Sequence, residues 1–81
     1  MTREFLVQLT SNLYRLTLLF PKKEPLRYKI REAAADILAK PSEKDIETIT
    51  SFLEVALAQN WVSPTDVLAI KLAYDNLKSD L

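Results

Sequence analysis

Apolar residues return at spacings of three and four along the chain, in four stretches of similar length separated by proline and polar breaks. In the first, Phe5, Leu6, Leu9, Leu13, Leu16 and Phe20 fall within about 100° of arc at 3.6 residues per turn, the stripe of a core-facing helix. In the second, Leu26, Ile30, Ala33, Ala34 and Ile37 repeat with charged residues between them, and the small alanines permit close helix approach. The third runs Ile46, Ile49, Phe52, Leu53, Ala56, Leu57 from a Ser42 cap, with Asn60 as its stop. The fourth has Ser63 as cap, Pro64 at the first helical position and Asp66 near the positive end of the dipole, and Val67, Ile70, Ala73, Tyr74, Leu77 and Leu81 continue it inward.

These stretches predict helices over residues 3–20, 25–39, 43–60 and 64–80 of one domain, 1–81. The breaks at Pro21 with Pro25, at Lys40-Pro41-Ser42 and from Asn60 to Pro64 are short, which predicts antiparallel neighbours and an all-α, up-down-up-down four-helix bundle. Glycine is absent, and that favours helices joined by proline and polar loops over strands and sharp bulges. A chain of this size buries only roughly 60 to 65% of its unfolded surface, so self-association would help it. Two further apolar lines offer a surface for that: Val7, Tyr14 and Leu18 opposite the main stripe of the first helix, and Leu68 and Leu72 on the fourth. If the first and last helices are adjacent, these lines form one interface for a homo-oligomer or a partner. The bland alternative is a scatter of exposed leucines.

Eleven basic and eleven acidic residues give a net charge of zero. That neutrality hides a division, because residues 1–40 hold eight Lys/Arg against four Asp/Glu, while residues 41–81 hold three against seven. Between Lys22 and Arg31, five basic side chains (Lys22, Lys23, Arg27, Lys29 and Arg31) face one acid, Glu24. Arg27 and Arg31 are one helical turn apart and Lys22 and Lys23 precede them, a layout that suits a phosphate backbone. Tyr28 stands ready to stack on a base or to pack. Against this stands a solvated helix face neutralised by Glu24, Glu32 and Asp36.

Other chemistry is poorly provided for. With no His and no Cys there is no ordinary nucleophile–base pair, soft metal site or disulfide, and Glu43, Glu47 and Glu54 read as the solvated face of the third helix. No metal, no cofactor and no catalytic residue is predicted, and the chain reads as non-enzymatic. No segment approaches the roughly 20 apolar residues of a membrane span, so a soluble protein with no membrane partner and the cytoplasm as default location are expected. Trp61 reads as a core plug in the last loop.

The basic segment also carries a pattern. Leu13-Tyr14-Arg15-Leu16-Thr17, then Phe20-Pro21-Lys22-Lys23-Glu24, Leu26, Ile30-Arg31, Ala33-Ala34 and Ile37 resemble the opening half of a small four-helix bundle family. That family includes the proteins encoded by intervening sequences in 23S ribosomal RNA genes and the accessory variability determinant proteins of diversity-generating retroelements. Lys29 stands where the family pattern has Gln, Glu32 where it has a second Arg, and Lys40-Pro41-Ser42 replaces its small and acidic continuation. The stretch from Phe52 through Trp61-Val62 is loosely similar to the family's closing hairpin. The resemblance implies a homo-oligomeric barrel, commonly a pentamer, without catalytic activity, and in the retroelement branch a nucleic-acid-binding partner of a reverse transcriptase. It carries RNA or DNA contact to Lys22, Lys23, Arg27 and Arg31, with Lys29 a substitution, and leaves Phe20 and Pro21 to fix the turn. The competing expectation is a protein-interaction or scaffolding bundle with no nucleic-acid role.

Overall fold

The computed structural model describes residues 2–81, and among them forms four α-helices, one 3-10 turn and no strand. The helices are α1 (Arg3–Leu16), α2 (Pro25–Ala39), α3 (Glu43–Ala58) and α4 (Pro64–Ser79), with the 3-10 turn at Thr17–Leu19. Each helix packs on its neighbours in the chain and α1 also packs on α4, which closes the four into a ring around one core, and the described residues together span 30 × 21 × 21 Å. The core is made of the predicted stripes: Leu13, Ile30, Ile37, Ile46, Ile49, Leu53 and Tyr74 are all but sealed from solvent. Each aliphatic side chain so buried contributes about 1.5–3 kcal/mol.

The starts of the helices are set by side-chain caps. The Thr2 hydroxyl accepts from the Phe5 amide, Ser42 from Asp45 and Ser63 from Asp66, and the Asp66 carboxylate accepts in return from the Ser63 amide at 2.9 Å, completing a capping box. The ends depart from the expected ranges for local reasons. The first helix does not reach residue 20 as an α-helix. Pro21 forces Phe20 into extended backbone (φ −74°, ψ 150°), and the preceding turn tightens to 3-10 geometry. Thr17 supports the tightening by donating its hydroxyl to the Tyr14 carbonyl at 2.6 Å.

The third helix stops at Ala58, two residues short of the predicted range. Asn60 takes the left-handed conformation (φ 61°), its amide donates to Leu57 O and the Trp61 amide donates to Ala56 O, both at 3.0 Å. These are the two bonds of a Schellman motif, with asparagine in the place usually held by glycine. Two residues assigned inward by periodicity are exposed. Phe5 is at the edge of the α1 arc, beside a groove that α4 lines with Ala69, Ile70 and Ala73, and Leu81 lies beyond the end of α4. Thr10 and Thr17 are buried instead, in phase with Leu6 and Leu13. The Thr10 hydroxyl donates to the Leu6 carbonyl at 2.8 Å, so its burial leaves no donor idle.

Candidate nucleic-acid interface

The five basic residues between Pro21 and Glu32 do not lie in one exposed row. Lys22 and Lys23 are the central residues of a turn closed by the Glu24 amide on the Pro21 carbonyl at 3.0 Å, and both side chains stand in solvent. Glu24 caps α2, its carboxylate accepting from the Leu26 amide at 3.3 Å. Lys29 is exposed on α2, and Tyr28 beside it is 57% exposed, its hydroxyl donating to the Lys22 carbonyl at 3.2 Å. Among the described residues the only ion pairs within 4 Å belong to Lys78, which meets Glu47 at 3.2 Å and Glu43 at 3.9 Å. Glu32 and Asp36 therefore do not pair directly with Lys22, Lys23 or Lys29.

The two arginines have other positions. Arg27 is 9% exposed, and its buried Nε has no hydrogen-bond partner among the described residues. It is tucked into the fold and does not stand beside the lysines as a surface contact. Its long stem packs as an apolar group would, which a reading of arginine as charge alone misses. Arg31 is half-buried and turned toward α1. Its Nε donates to Thr17 Oγ1 at 2.7 Å, its Nη2 reaches the Tyr14 carbonyl at 3.4 Å, and the guanidinium lies 5.2 Å from the Tyr14 ring centroid. The Tyr14 hydroxyl in turn donates to the Arg31 carbonyl at 3.4 Å. Arg31, Tyr14 and Thr17 thus form a clasp between α1 and α2.

The chain matches no protein-family model, no curated protein and no solved structure.

Around the same end of the molecule, Phe20 is 2% exposed and its ring lies 5.3 Å from Trp61, which brings the α1–α2 and α3–α4 connections together. Trp61 is half-buried against the core, partway between a plug and a surface contact. Val7, Tyr14, Leu18, Leu68 and Leu72 are all exposed, from 38% at Tyr14 to 62% at Leu18. They are not joined across the α1–α4 seam, which is lined by Phe5, Gln8, Asn12, Ala69 and Ala73. Tyr14 faces α2, and Val7 and Leu18 lie within about 40° of it on the helix, so this line looks away from α4. Glu43, Glu47 and Glu54 are solvent-exposed on α3, as their spacing predicts. No helix among the described residues is long and apolar enough to cross a membrane.

Proposed function

We propose that this chain is a non-enzymatic, antiparallel up-down-up-down bundle that binds RNA or DNA through the end formed by the α1–α2 turn. One observation carries the reading: Lys22 and Lys23 project from a turn with no acid paired to them, and Glu24 is turned to capping α2. Lys29 extends the positive potential along α2. Arg31 is engaged with Thr17 and Tyr14 and Arg27 is buried, so phosphate contact is assigned to the lysines. Assembly into a homo-oligomer would cover Val7, Leu18, Leu68 and Leu72 and set several copies of the basic turn side by side. The resemblance to the intervening-sequence and retroelement accessory proteins supports this reading, and with it a pentamer and a role beside a reverse transcriptase. A second reading, a protein-interaction scaffold, is favoured by the same exposed leucines.

A shift assay separates the two readings. With structured RNA and duplex DNA near 150 mM salt, the wild type is expected to bind at roughly 10⁻⁴ to 10⁻⁶ M or tighter, and Lys22→Ala/Lys23→Ala to weaken binding to all sequences alike. Absence of binding by the wild type at tens of micromolar removes the nucleic-acid reading and leaves the scaffold.

A further inference from the structure

Beside the lysine turn lies a cleft of about 630 Å³, within the size range of small-molecule sites. Its apolar walls include Leu19 from the 3-10 turn, Trp61 and Val62 from the α3–α4 connection, and Pro64 at the start of α4. Leu57 and three polar residues, Asn60, Ser63 and Asp66, complete the lining. Leu19 is 54% exposed and adds apolar surface to the cleft. Lys22 and Lys23 follow Leu19 by three and four residues in the same connection.

The charges in and around this cleft sort a ligand into two parts. The Asp66 carboxylate, whose Oδ2 accepts from the Ser63 amide at 2.9 Å, repels a phosphate from the cleft itself. Unpaired Lys22 and Lys23 attract one just outside. An uncharged planar ring suits the walls, and an exocyclic amine on its edge suits the acceptors of Asp66 and Asn60, as asparagine pairs with adenine and a carboxylate with an amino group. Resting on the nucleic-acid reading above, we infer that this cleft takes an unpaired, amine-bearing nucleobase from a single strand whose phosphates lie along Lys22 and Lys23. A duplex keeps its bases stacked and cannot offer one.

Trp61 is the chain's single tryptophan, so its emission reports on this site alone. The intact chain is titrated with short oligo(dA), oligo(dT) and a hairpin duplex at equal nucleotide concentration. Oligo(dA) is expected to quench Trp61 emission and to bind at least about fivefold more tightly than oligo(dT), while the duplex binds without quenching. Asn60→Gly keeps the left-handed cap, because glycine adopts φ > 0 freely, and removes the amide. It is expected to lower oligo(dA) affinity about fivefold and leave duplex binding unchanged. Oligo(dA) binding with Trp61 emission unchanged, equal quenching by oligo(dT), or an Asn60→Gly protein of wild-type affinity each overturns the cleft assignment while the charge-driven reading stands. Failure of all three nucleic acids to bind overturns both.

Discussion

Replacing Arg31 decides whether its charge serves a ligand or the fold. In Arg31→Ala the bond from Nε to the Thr17 hydroxyl is lost, and a hydrogen bond made by a charged group is worth about 1.5–3 kcal/mol when well buried. Arg31 is only half-buried, which places the loss near the lower end of that range. Stacking over the Tyr14 ring adds about 0.5–1 kcal/mol, and the 3.4 Å contact to the Tyr14 carbonyl adds little. The Thr17 hydroxyl still donates to Tyr14, so no buried donor is stranded. The expected cost is about 2–3 kcal/mol, a large part of the 5–15 kcal/mol typical of a small domain. In urea that moves the unfolding midpoint down by about 1–2 M. Arg31→Lys keeps the charge but lacks the planar fork, so it should recover little of the loss. The salt dependence of nucleic-acid binding should stay as in the wild type for both variants. An unchanged urea midpoint, together with a salt slope reduced by about one and restored in Arg31→Lys, would show that Arg31 meets phosphate and that the clasp is incidental.

Tyr74 makes the stability pH-dependent at the alkaline end. Burial pushes its phenol up from 10.0 to about 12, against the pull of the Thr10 hydroxyl and with a smaller push from Tyr14. The unfolded chain therefore releases this proton first, and up to about 2–3 kcal/mol of stability should be lost as pH rises from about 10 to about 12. Tyr74→Phe should flatten that part of the urea-midpoint profile, and because the buried hydroxyl completes no hydrogen bond of standard geometry, should cost little at neutral pH. Ser63→Ala breaks the capping box of α4 and should lower thermal stability by about 1 kcal/mol. The Ser63 amide and hydroxyl hold the Asp66 carboxyl below its ordinary value of 3.8, so the contribution of that pair is present above this value and disappears as pH falls through the lowered one. Asp66→Asn should remove that acid-side dependence, and an Asp66→Asn protein whose stability falls with acid as the wild type's does would contradict the carboxylate's part in the cap.

Periodicity found the four helices and nearly all of the core because each apolar stripe is narrow and in phase, and Ser42, Ser63 and Pro64 mark their starts with short-range chemistry. It missed the shortening at Thr17, although Pro21 carried the signal through its restriction on Phe20. The basic segment was legible as charge but not as geometry. Spacing alone put Arg27 and Arg31 on one helix face, yet Arg31 is turned to α1 and Arg27 is buried. A clue was present in the register: Arg27 and Arg31 are in phase with Ala34 and Leu38, which border the core, while Tyr28 and Glu32 are in phase with solvent. The link between the apolar lines of α1 and α4 failed for a related reason, since adjacency of two helices does not say which flank of each meets the other.

The Phe20–Trp61 ring contact has a consequence for how the chain reaches this state. The two residues belong to different helical hairpins and are 41 positions apart (61 − 20). Most other contacts in a helical bundle are local and form early, within microseconds to milliseconds. This one closes only when the hairpin of α1 and α2 has docked on that of α3 and α4. Refolding followed through the indole should therefore time the joining of two halves, lagging behind the helical signal of the backbone.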